Sequence, residues 1–115
     1  MSRKPTGPTN PRLRELIVAF ERKKTRFHRR IAELLSKPTR KRIEVNVRKL
    51  EKVCKDGEVI VVPGKVLGDG KLKKRLIVYA WRYSEKAKKK IIDAGGEAHD
   101  LWELLEQGIK PRIIR

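Results

Sequence analysis

The chain has 115 residues, with 31 Lys plus Arg against 14 Asp plus Glu and a formal net charge of +17. Charged residues make up 39% and hydrophobic ones 38%, so the composition predicts one small core wrapped in cationic surface and excludes a multidomain enzyme. No apolar run reaches the roughly 18 residues of a membrane span, and a chain this basic repels itself unless a polyanion relieves the repulsion.

Residues 1–10 carry Arg3, Lys4, three positions of Pro or Gly and nothing to bury, which reads as an extended basic arm rather than a secretory signal. Asn10-Pro11 then supplies a helix cap and a proline at the first helical position. Leu13, Leu16, Ile17 and Phe20 follow at helical spacing, and Phe27, Ile31, Leu34 and Leu35 continue the pattern until Pro38. Thr25 could cap a second start, so one long helix and two joined near Lys24-Thr25 both fit. A basic loop, 39–42, leads to Asn46, read as the cap of a short helix that ends at Asp56-Gly57. Glu58–Val62 is a β-branched run expected as a buried strand, broken by Pro63-Gly64 and followed by a Gly68-Asp69-Gly70 turn. Leu76–Tyr83 is the best strand. Ser84 caps the next helix, Gly95-Gly96 ends it, and Asp100 caps a last short helix before a basic tail. Helices and strands alternate after a helical start, which predicts a mixed α/β fold with a single domain over 11–115.

The charge is uneven. Residues 1–42 hold 14 basic and 3 acidic residues, 43–70 hold 5 of each, 71–90 hold 9 and 1, and 91–115 hold 3 and 5. Charge kept only for solubility is interspersed, whereas two basic blocks around a neutral middle point to nucleic acid. The expected contacts in the first block are Arg3, Lys4, Arg12, Arg14, Arg22, Lys23, Lys24, Arg26, Arg29, Arg30, Lys37, Arg40, Lys41 and Arg42. Those further along are Lys65, Lys71, Lys73, Lys74, Arg75, Arg82, Lys88 and Lys89. Gly64, Gly68, Gly70, Gly95 and Gly96 are read as backbone turns, the first three bringing the chain close to its ligand.

No catalytic constellation emerges. A phosphate loop ending at Gly70-Lys71 would need glycine where Lys65 stands and Ser or Thr where Leu72 stands, and Gly-x-Gly-x-x-Gly from Gly68 fails at Lys73. His28, His99 and Cys54 have no metal-ligand spacing; His28, among arginines, reads as a surface residue and Cys54 as a buried small hydrophobe in a reducing compartment. Tyr79, Trp81 and Tyr83 share one strand face, a pattern that either stacks unpaired bases or lies beneath a second layer. The apolar Leu76, Val78 and Ala80 opposite favour the covered strand. Trp102, beside Leu101 and Leu104, is expected in the core.

The run Val61-Val62-Pro63-Gly64-Lys65-Val66-Leu67-Gly68-x-Gly70 resembles the hallmark of the archaeal and eukaryotic large-subunit ribosomal proteins of the L-eighteen-e family. Asn10-Pro11-Arg12-Leu13, Glu44-Val45-Asn46, Ser84-x-x-Ala87 and Ala94-Gly95-Gly96 fall in the family's order. The later blocks are also similar to the C-terminal domain of bacterial L-fifteen. The compact length resembles an archaeal member. One departure is Glu21–Thr25, where some members have a Gly/Ser-rich break. The resemblance implies a core of irregular β-β-α turns in a superhelix, docked on large-subunit ribosomal RNA beside neighbouring large-subunit proteins in the cytoplasmic ribosome. It implies no cofactor, metal, membrane or small-molecule substrate. An architectural or regulatory nucleic-acid-binding protein outside the ribosome is the alternative, and an RNA-processing enzyme using His28 or His99 a distant third.

Overall fold

The computed structural model describes residues 10–38 and 41–115. The expected arm, with Arg3 and Lys4, and Arg40 of the basic loop lie outside the described residues. The chain divides after Ile43 into two compact units, and together they are α/β as expected.

The first unit is a pair of helices, α1 (Pro11–Arg22) and α2 (Arg26–Leu35), packed on each other. Two helices, not one, therefore follow from the pattern the sequence left open. Asn10 Oδ1 accepts from the backbone N–H groups of Arg12 at 2.9 Å and Leu13 at 3.3 Å, satisfying donors that α1 itself cannot. The break is built by Lys24, which takes φ of 57°, and by Thr25, whose Oγ1 accepts the His28 N–H at 3.0 Å. Leu13, Leu16, Phe20, Ile31, Leu34 and Leu35 are fully buried. His28 is buried as well, not at the surface as expected. Its position in the first turn of α2 puts Nδ1 2.5 Å from the Thr25 hydroxyl and sets the ring against Phe20 and, edge-on, Phe27. A local hydroxyl and two rings thus let a polar ring enter a small core.

The second unit is a sheet with three helices. Its strands are β1 (Ile43–Asn46), β2 (Val59–Leu67), β3 (Ile77–Tyr83), β4 (Glu97–Asp100) and β5 (Arg112–Ile113), in the order β1-β2-β3-β4 with β5 also on β2. The pairs β2–β3, β3–β4 and β2–β5 are parallel. Because β3 occupies one edge of β2, β1 and β5 share the other. Between strands come α3 (Val47–Val53), α4 (Glu85–Asp93) and α5 (Leu101–Gln107). Ile60, Val61, Val62, Val66, Val78, Ala80, Ala87, Ile91, Leu101 and Leu104 make the core. Val78, Tyr79 and Ala80 are all buried, so β3 is covered on both faces, as its apolar alternation suggested. Cys54 is buried as a small hydrophobe.

Ser84 and Asp100 cap where the sequence put them. Ser84 Oγ accepts the Ala87 N–H at 3.1 Å, and Asp100 and Glu103 form a reciprocal capping box. Gly95 (φ 87°) and Gly96 close α4, donating to Ile92 and Ile91 carbonyls in the pattern of a left-handed cap.

Four further expectations change. Pro63-Gly64 does not end the strand: β2 runs on to Leu67, with a bulge between Val62 and Lys65 that absorbs the residue proline cannot pair. Asn46 precedes α3 but makes no cap; its Oδ1 instead accepts the Asp69 N–H at 3.2 Å. Glu97–Asp100 and Arg112–Ile113 of the basic tail are strands, although the first has no β-branched residue and the second is only two residues long, because each completes an open edge of the sheet. Trp102 is half-buried rather than enclosed.

Candidate nucleic-acid interface

In the first unit, the apolar stripes of α1 and α2 turn their remaining positions outward. Arg12, Arg14 and Arg22 on α1, Lys23 and Lys24 beyond it, and Arg26, Arg29 and Arg30 on α2 are all exposed, as are Lys37 and Lys41. Arg42 is half-buried. Arg30 forms an ion pair with Glu33 one turn on; among the described residues no carboxylate pairs with the others. The guanidinium groups of Arg12, Arg14, Arg22, Arg26 and Arg29 keep their donors for a partner.

In the second unit the basic segment 71–75 is held from behind by acids of the neutral middle block. Glu51 Oε1 accepts the backbone N–H groups of Lys73 at 2.9 Å and Lys74 at 3.2 Å. The Lys73 N–H above all holds the Glu51 carboxyl below its usual range. Asp56 Oδ1 accepts the Arg75 N–H at 2.7 Å, and the Gly57 N–H donates back to the Arg75 carbonyl at 2.6 Å. The segment has no helix or strand of its own, yet its backbone is anchored while Lys71, Lys73 and Arg75 face solvent. Arg75 has a distant partner in Asp56 at 3.9 Å, and Lys89 one in Asp93 at 3.8 Å. Both pairs are exposed and worth little. Lys88 and Arg82 are exposed and Lys65 half-buried, with no acidic partner among the described residues.

Two lysines work inward. The Lys74 ammonium donates to the carbonyls of Glu51 and Cys54 at 2.5 and 2.6 Å, tying the segment to α3. Lys90, which sequence reasoning did not single out, donates to the carbonyls of Gly68 and Gly70. Nothing in the run Lys88-Lys89-Lys90 distinguishes it; only the fold brings that turn to α4. Glu51 and Asp56 were likewise unmarked, since their role depends on where 71–75 crosses them.

The glycines act chiefly within the protein. A Cβ on Gly70, which takes φ of 105°, would meet Arg48 Cβ at 2.5 Å, and one on Gly68 would meet the Ala87 nitrogen at 2.8 Å. The turn therefore passes directly over the starts of α3 and α4. Arg48 closes it through Asp69 at 3.0 Å. Gly64 is buried in the β2 bulge.

At the far edge of the sheet, the His99 ring lies between two carboxylates, with Nε2 2.7 Å from Glu97 and Nδ1 2.8 Å from Glu103. The hydrogen bond to Glu97 leads in raising its pKa above the ordinary imidazole value. The ring stacks on Tyr79 at 4.9 Å, and the Tyr83 hydroxyl is shared between the carbonyls of His99 and Val78. Tyr79 and Tyr83 are thus committed to the protein's interior. Trp81 alone of the three keeps its ring face toward a cation, the Arg82 guanidinium, at 5.1 Å. Among the described residues no helix is long and apolar enough to cross a membrane.

The chain is similar to known ribosomal proteins. Residues 28–99, α2 through most of β4, match the family of ribosomal proteins described as 50S-L15, 50S-L18e and 60S L-twenty-seven-A. The chain is 47% identical to the large ribosomal subunit protein eL18 of Pyrobaculum aerophilum, covering 90% of this chain and 88% of that one. It is 45% identical to the eL18 of Methanopyrus kandleri, over 96% and 94% of the two. The eL18 of Nanoarchaeum equitans is 49% identical over 78% of each. With more than half its length matched by the family and nearly all of it aligned with such relatives, the chain belongs to the family of ribosomal proteins that unites 50S-L15, 50S-L18e and 60S L-twenty-seven-A.

Proposed function

We propose that this protein is a structural constituent of the large ribosomal subunit that binds and stabilises large-subunit ribosomal RNA. Family membership makes it a ribosomal protein of the cytoplasmic ribosome and not an enzyme. The observation that supports RNA as its partner is the set of solvent-facing cations without acidic neighbours in both units, set against a backbone at 71–75 that acids anchor from within. Arg12, Arg14, Arg22, Arg26 and Arg29 offer planar forks that engage phosphate oxygens in pairs, while Lys71, Lys73 and Lys88 act as point charges. Each phosphate neutralised releases condensed counterions, and that release drives association. Rigid placement of the charges selects the shape of a folded RNA rather than its sequence. Neighbouring large-subunit proteins complete the set of partners.

Cosedimentation tests this reading. The protein is expected to remain with large subunits through a moderate-salt wash. Recovery in the free pool or on chromatin would favour a nucleic-acid-binding role outside the ribosome.

A further inference from the structure

The β2–β3 register places Val62 beside Ala80 and Lys65 beside Arg82, so Pro63 and Gly64 together stand opposite the single residue Trp81. A bulge of this kind is rare in a parallel pair and re-aims the side chains next to it. Here it interrupts the sheet opposite Trp81, a ring that is only partly buried. Tyr79 is buried under His99 and Tyr83 is tied through its hydroxyl, whereas Trp81 is only partly buried. Arg82 is exposed, and its guanidinium lies over the partly buried indole, 5.1 Å from the ring centroid. Beside it in register is Lys65, and among the described residues neither cation has an acidic partner.

From this arrangement we infer that Trp81, Lys65 and Arg82 form a seat for one unpaired nucleotide of a folded RNA, a refinement that rests on the RNA-binding reading above. An indole takes a base of any identity on its π-face, and Arg82, with Lys65 beside it in register, meets the nucleotide's phosphate. The base takes the ring face that Arg82 now covers, and the guanidinium turns to the phosphate. A base in a continuous duplex is stacked on both sides and cannot enter, so the seat selects loops and bulges over paired RNA. This gives Pro63-Gly64 a purpose that turn-making does not: the bulge presents Trp81.

Fluorescence reads the seat directly. In a W102F chain Trp81 is the sole tryptophan, and its emission is expected to be quenched by a short single-stranded RNA but not by the blunt duplex of the same sequence. W81A is expected to weaken single-strand binding roughly 5- to 100-fold and leave duplex binding nearly unchanged, while W81F, which keeps a ring and the fold, retains most of it. Binding of both RNAs with unchanged Trp81 emission, or binding of the duplex alone, would overturn the seat and leave the RNA-binding reading standing. Binding of neither would overturn both.

Discussion

Gly96 shows how one missing side chain sets an edge of the sheet. A Cβ there would collide with the Leu76 carbonyl oxygen, the acceptor of the Glu97 N–H that begins the pairing of β4. Gly57, by contrast, has φ of 84° but open space around the same position. G57A should therefore cost only the left-handed backbone penalty, about 1–2 kcal/mol. Gly96 takes no positive φ, so G96A escapes that penalty, but its Cβ must displace backbone of the sheet. The loss should exceed that of G57A, at about 3 kcal/mol or more. Urea denaturation of the two variants gives the ordering, and equal losses would contradict it. His99 makes a second prediction at this scale. Both ring nitrogens face carboxylates, and both can donate only in the charged form. The raised pKa means that the stabilisation is full below the unfolded value of about 6.5 and is lost as pH rises through the folded one. Glu103, lowered first by the Asp100 N–H and then by His99, adds stability that is present above about pH 4.3 and lost as pH falls through its depressed value. The stability deficit of H99Q, measured by denaturation across pH, should be greatest between these limits and shrink on the alkaline side.

Among the elements, caps were the features most legible in sequence. Asn10, Ser84 and Asp100 all cap as their spacing indicated, because a cap is decided within four residues. Thr25 belongs with them, and T25A should destabilise the first unit by about 1 kcal/mol, with the loss seen in thermal or chemical unfolding. What the sequence hid depends on distant chain. Glu97-Ala98-His99-Asp100 has no strand pattern, and becomes β4 only because β3 has an edge to offer. The bulge at Pro63-Gly64 looked like a strand end because proline cannot donate, yet the partner strand carries the ladder past it. Glu51 is the most instructive case. E51A makes the chain more basic, and charge alone would tighten RNA binding. Losing the acceptor for the Lys73 and Lys74 N–H groups frees the 71–75 segment, so binding should instead weaken severalfold. A filter-binding comparison of E51A with the parent separates anchored charge from mere charge.

For the whole molecule, the division into basic blocks and a neutral middle was readable, but the meaning of the middle was not. Its five acids and five bases look like a spacer in composition. In the fold, Glu51 and Asp56 hold the second basic block, and Asn46 and Arg48 hold the glycine turn. Of the cations expected at the interface, Lys74 is turned inward to carbonyls, a distinction that no count of charge makes. The family was legible because its blocks are short, local and ordered along the chain. A +17 charge, with most cations among the described residues lacking acidic partners, fits the proposed RNA as the opposite half. Phosphate neutralisation, the central claim, has a direct measurement: the affinity for a folded fragment of large-subunit ribosomal RNA as salt is varied. For about 6–10 phosphate contacts, affinity should fall by a factor of roughly 10³–10⁵ between about 50 and 200 mM salt, linearly on logarithmic axes; an affinity that stays flat over that range would contradict it.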